Sequence, residues 1–175
     1  AVKSMKGEEV EEEIFETTVD MDMDAFIPAT YIKNEVQKLD IYKRIAEIEN
    51  EEELMDMQEE LADRFGDLPN AVNNLLHIAL IKSICHSVYV TSLVQKGNEV
   101  TLTMYPKARL AVEKFPELLV KYQNSLKLIP QANPYFIYRL PGNPKGKLDN
   151  MNIFTNLEKL LEDFKLLLEE KGEKE

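Results

Sequence analysis

The chain holds two histidines and one cysteine. These residues are the first that could bind a metal or attack an electrophile. His77, Cys85 and His86 fall within one stretch of helical period. Metal ligands on a helix sit at i, i+3 or i+4. His77 and Cys85 are eight apart, so they share a face but lie about 12 Å apart along the axis. Cys85 and His86 are neighbours and diverge around the helix, so His86 is badly placed to activate the thiol. Neither spacing suits a metal centre or a cysteine nucleophile. Asp20, Asp22 and Asp24 alternate with Val19, Met21 and Met23. On a strand that spacing puts successive carboxylates about 7 Å apart along one face. A solvent face, or a face meeting a basic partner, explains them better than an ion cage. The loop GNPKGK at 142–147 lacks the Walker spacing and the Ser or Thr after its lysine. The remaining carboxylates are abundant, and no pattern marks one pair as buried. No catalytic residue, metal ligand or cofactor site is expected.

One charged constellation remains, in the run 59-EELADRFGDLP-69. Glu60 and Arg64 are i, i+4, and Glu60 and Asp63 are i, i+3, so all three share neighbouring surface of one helix. Two readings stay open. The first is an intrahelical Glu–Arg pair worth about 0.3–0.5 kcal/mol. The second is a docking patch: Arg offers a planar fork to a carboxylate, and Glu and Asp accept from a partner's base. Such a patch gives orientation more than affinity. The corner after it is tightly specified by Phe65, Gly66, Asp67 and Pro69. Phe65 ends the buried stripe, and Gly66 supplies a backbone free to take positive φ. Asp67 is expected to cap the next helix, with Pro69 in its first turn.

Several elements must position this corner. Residues 1–7 read as the last turn of a helix stopped by Gly7. An acidic stretch follows, six Glu in the nine residues 8–16, with the composition of a solvated linker. The alternation at 19–27 predicts a half-buried strand. A helix is expected from about Thr30 to Glu49, with Val36, Leu39, Tyr42, Ile45 and Ile48 inward. Asn50 and Glu53 form a capping-box pattern for the next helix, which buries Leu54, Met57, Leu61 and Phe65. The third helix runs to about His86, with Val72, Leu75, Leu76, Ala79, Leu80, Ile84 and Cys85 inward. The period then changes to two. Residues 88–94 and 99–105, joined by a KGN turn, predict a hairpin. A short helix at 116–122 and two strands at 126–129 and 135–140 follow. A last helix spans about Asn152 to Lys171, with Ile153, Phe154, Leu157, Leu160, Leu161, Phe164, Leu167 and Leu168 inward. This order predicts an α+β fold: a half rich in helical hairpins, a small antiparallel sheet, and a long C-terminal helix.

Bulk properties narrow the partners. At 175 residues the chain can bury a core without staples. One cysteine excludes an internal disulfide framework and suits a reducing, cytoplasmic setting. The net charge of -11 opposes phosphate backbones, so direct nucleic-acid binding is not expected. No apolar run approaches the length that spans a bilayer, so no membrane contact is expected.

The markers "IP..YI" at 27–32, "YKRIA" at 42–46 and "EELADRFGDLP" at 59–69 occur in one order and spacing. With them, the run from Phe26 to Leu76 closely resembles the C-terminal domain of the bacterial transcription-repair coupling factor (Mfd, or TRCF) family. The resemblance is firm over about 19–90 and looser over 106–150. It implies that residues 1–18 are the end of a preceding translocase helix plus an acidic linker, and that 19–175 is the C-terminal domain. It also implies a bacterial, cytoplasmic parent protein that displaces RNA polymerase stalled at DNA lesions. That parent would translocate on double-stranded DNA at the expense of ATP and recruit nucleotide excision repair through UvrA. The family's C-terminal domain folds back on a UvrB-like N-terminal region and masks its UvrA-binding surface. The family's contact residues match Glu60, Asp63 and Arg64. The translocase motifs are absent from this chain, so it should not hydrolyse ATP. Two other readings remain: an acidic adaptor for an external protein, and a small hydrolase or metal enzyme without a familiar motif.

Overall fold

The structure, a computed structural model, describes residues 15–142 and 145–168. The expected helix remnant, the acidic stretch through residue 14 and the tail beyond 168 lie outside the described residues. The described chain begins with Phe15 packed on the domain. Its ring stacks on His86 at 4.4 Å and on Tyr105 at 4.6 Å. Thr17 is buried, and its hydroxyl donates to the Val90 carbonyl at 2.8 Å. That hydroxyl has one proton, so His86 Nδ1, 3.2 Å away, is the donor to Thr17 Oγ1.

Strand β1 (Thr18–Met21) follows. Three helices come next: α1 (Glu35–Ala46), α2 (Glu51–Phe65) and α3 (Asn70–Ser87). The second half holds β2 (Val90–Lys96), β3 (Glu99–Met104), α4 (Phe115–Tyr122), β4 (Leu126–Ile129), β5 (Tyr135–Arg139) and α5 (Asn150–Phe164). The strands form one sheet in the order β1-β2-β3-β5-β4. β2, β3, β5 and β4 pair antiparallel, as the hairpin pattern requires. β1 joins at the edge in parallel with β2. The sheet is therefore mixed, and the three helices form the crossover that a parallel pair needs.

Two cores flank α3. One lies between the sheet and the helices α3 and α5, around Leu93, Leu102, Phe136, Phe154, Leu157 and Phe164. The other joins α1, α2 and α3 through Ile41, Ile45, Leu54, Leu61, Leu76 and Leu80. α3 serves both, which explains its apolar residues on more than one face: Leu76 and Leu80 enter the second core, Ile81 and Cys85 the first.

Four expectations change. Val36 and Leu39 do not face inward; they are 77% and 61% exposed, and Ile41 takes the buried place on α1. Asp67 does not cap α3. The chain stays extended past Gly66, so Pro69 becomes the N-cap, and no side chain caps the helix. Helix α1 starts at Glu35, where the Asn34 side chain accepts from the Gln37 N–H at 2.9 Å. Helix α5 ends at Phe164 and tightens into a 3-10 turn over Lys165–Leu167. There the Leu167 carbonyl accepts from the Ala111 N–H, and Leu110 bridges to Leu168. The helix ends there although Leu167 and Leu168 would continue its pattern.

Candidate functional site: the charged flank of α2

Both ends of α2 are fixed. At the start, Asn50 Oδ1 accepts from the Glu53 N–H at 2.8 Å, and Glu53 Oε1 accepts from the Glu49 N–H at 2.8 Å. This is the expected capping pattern with its return bond moved one residue outward. At the end, the Gly66 N–H donates to the Ala62 carbonyl at 3.0 Å, and Gly66 sits at φ 93°, ψ -172°. That conformation is open essentially to glycine alone. The Tyr31 hydroxyl lies 2.7 Å from the Gly66 carbonyl oxygen and 3.1 Å from that of Leu61. Its ring tilts against Phe65 at 5.7 Å, and the Arg64 guanidinium lies over Phe65 at 5.0 Å.

The three predicted residues are all on the surface, but not in equal states. Asp63 is exposed, and no ion pair joins it to the described residues. The Arg64 side chain is 38% exposed and donates from Nη1 to Glu60 Oε2 at 3.0 Å. Glu60 is the most engaged. Arg44 of α1 grips it with both Nη atoms, at 2.6 Å to Oε2 and 2.5 Å to Oε1. The hydrogen-bonded Arg44, and then Arg64, outweigh partial burial and pull the Glu60 carboxyl down to about 2. Glu60 is thus ionised at any physiological pH and cannot act as a general acid. The same hydrogen bond raises the Arg44 pKa.

The sequence does not mark Arg44 and Tyr31 as members of this site. Both lie inside the quoted markers, Tyr31 in "IP..YI" and Arg44 in "YKRIA". Neither local spacing nor period pairs them with α2, since each contact spans 16 or more residues. Gly66 ends α2 at positive φ, and Phe65 is half-buried between Tyr31 and Arg64.

The other chemistry-bearing residues stay apart. Cys85 is buried, and burial raises its thiol pKa, which opposes thiolate formation. His77 stacks on Phe154 at 4.9 Å. His86 is taken by Phe15 and Thr17. Asp20 is exposed on β1, and Asp22 and Asp24 are exposed just past its end. Among the described residues no three His, Cys, Asp or Glu side chains are grouped to hold a metal. Nor, among the described residues, is any helix long and apolar enough to cross a membrane.

A family model for the TRCF domain matches residues 21–115, which include the whole α2 site. The transcription-repair-coupling factor of Staphylococcus haemolyticus is 38% identical over 109 residues, covering 62% of this chain and 9% of that protein. The Bacillus subtilis protein of the same name is 35% identical over 113 residues, 65% of this chain and 10% of that one. The Rickettsia bellii protein is 32% identical over 131 residues, 75% and 12% respectively. The chain thus spans about a tenth of the length of these relatives. A crystal structure of the C-terminal domain of a transcription-repair coupling factor superposes with a TM-score of 0.67 at 28% identity, covering 86% of this chain and 94% of that one. The α+β architecture and long C-terminal helix read from the sequence recur in that neighbour. This chain belongs to the transcription-repair coupling factor family and has the fold of its C-terminal domain.

Proposed function

We propose that this domain is a non-enzymatic, autoinhibitory cover within a bacterial, cytoplasmic transcription-repair coupling factor. It docks on the UvrB-like N-terminal region of its own protein through Glu60, Asp63 and Arg64, and so masks the surface that binds UvrA. The parent protein displaces RNA polymerase stalled at lesions by ATP-driven movement on double-stranded DNA, then recruits excision repair. The domain itself takes no cofactor and touches neither DNA nor membrane.

The observation that carries this reading is the exposure of Asp63 and Arg64 on a helix pinned at both ends. Seven of the fifteen residues of α2 are acidic and one is basic, so the helix suits a basic partner face. Exposed ionic contacts are worth about 0–1 kcal/mol each. A tethered partner needs no more, because a linker raises effective concentration to about millimolar. Such a cover closes at rest and still opens when another partner competes.

The test is UvrA capture by the full-length protein carrying Asp63→Lys. Capture should rise well above wild type. Capture that stays at the wild-type level would remove the patch from the cover.

A further inference from the structure

We infer that Arg44 is a built-in competitor for the docking patch, a regulator of how firmly the cover closes. The inference rests on the docking reading above and adds a residue and a direction to it.

Glu60 does not stand free. Its two oxygens are both occupied by the Arg44 fork, and Oε2 also accepts from Arg64. Two guanidinium groups thus claim one carboxylate, while Asp40 and Glu47 also act on Arg44 and Glu53 and Asp56 line the same groove. A basic side chain arriving from a partner finds both Glu60 oxygens already taken. Asp63, one turn away, is exposed and without an ion pair among the described residues, so it is open to such a base. To use Glu60 as well, the incoming base must displace Arg44 or share a carboxylate that is already taken.

A second role for Arg44 would be to orient Glu60 for docking, and it predicts the opposite sign. The geometry favours competition. Glu60 sits in the third turn from the start of a capped helix, and the Arg64 bond at 3.0 Å holds its carboxylate from the same helix. Orientation therefore survives the loss of Arg44. What that loss removes is a positive charge and a bidentate claim on the carboxylate. The Arg44 side chain is 39% exposed, so its fork can swing into solvent when displaced. Opening restores the internal pair, which gives the released carboxylate a ready partner and keeps the cover reversible.

The experiment measures binding of this domain to the UvrB-like region of its parent protein for four forms: wild type, Arg44→Gln, Arg44→Lys and Glu60→Gln. Arg44→Gln removes the competing charge and should tighten binding by about 2–5-fold, the range of one partly exposed ion pair. Arg44→Lys keeps the charge but loses the fork, and should fall between wild type and Arg44→Gln. Glu60→Gln should weaken binding. A melting curve on each form establishes that the domain is folded. If Glu60→Gln weakens binding while Arg44→Gln weakens it too or leaves it unchanged, competition is wrong and docking stands. If Glu60→Gln has no effect, the docking role of Glu60 fails, and the competitor role fails with it.

Discussion

The Tyr31 hydroxyl meets the Gly66 carbonyl at 2.7 Å across 35 residues of sequence, and so ties the turn before α1 to the corner that ends α2. Burial, and then the charge of Asp67, raises the Tyr31 pKa, so the phenol stays protonated and stays a donor. Tyr31→Phe keeps the ring against Phe65 and removes only the hydroxyl. It should cost about 1 kcal/mol in urea unfolding, the ordinary net worth of such a hydrogen bond.

Gly66 and Gly97 both take positive φ, but they should respond differently to a side chain. Neither would place a Cβ within 4 Å of another group, so backbone strain decides. Gly66 lies at φ 93° with ψ near 180°, a region reserved for glycine. Gly66→Ala should cost about 1–3 kcal/mol. Gly97 lies at φ 60°, which asparagine tolerates. Gly97→Asn should cost less than about 1 kcal/mol. Denaturant midpoints of the two variants check the contrast.

Much of this architecture is legible in the sequence, because local period and local turn chemistry specify it. The β2–β3 hairpin shows a period of two around Gly97, and α2 shows its cap, its stripe and its stop. What fails is what needs tertiary contacts. On α1, Val36 and Leu39 compete with Ile41 for the inward face, and the helix alone cannot rank them; packing against α3 selects Ile41. The Asp67 cap fails because the backbone leaves Gly66 extended and shifts the helix start to Asn70. β1 is legible as a strand, but its parallel pairing rests on a crossover of three helices. At the site, the residue types of Glu60, Asp63 and Arg64 are visible on one helix face. The Arg44 fork is not, because it depends on how two helices cross.

Acid should weaken the α1–α2 contact in a defined window. The Glu60 carboxyl is held at about 2 against an ordinary value of 4.5. It binds its proton more weakly when folded, so its contribution is complete above about pH 4.5 and is lost as pH falls toward 2. The Glu60 side chain is 34% exposed, so solvent screening keeps this contribution modest. Stability measured against pH should fall less steeply in that window for Glu60→Gln than for wild type. An identical slope would remove the Arg44–Glu60 pair from the acid response.

His77 acts in a higher window. It is buried, its Nδ1 has no hydrogen-bond partner among the described residues, and burial lowers its pKa below 6.5. Glu51 of α2 opposes this shift, and on α5 the carboxyl of Glu158 is raised by burial and by Glu51. The unfolded chain takes up the histidine proton first, so this term lowers stability as pH falls below about 6.5. The Glu158 term has the opposite sign, gaining stability as pH falls toward the ordinary carboxylate range. His77→Phe retains an aromatic ring against Phe154 and removes the first term. Its stability should therefore decline less than wild type between about pH 6.5 and 5.

The most direct measurement is a titration of this domain against the UvrB-like region of its parent protein at rising ionic strength. A cover held by ionic side chains on α2 predicts affinity that falls several-fold between about 0.05 and 0.5 M salt, as the screening length shortens. It also predicts that Asp63→Lys abolishes most of that salt dependence. Binding that is absent at low salt, or that is unchanged by both salt and Asp63→Lys, would contradict the account.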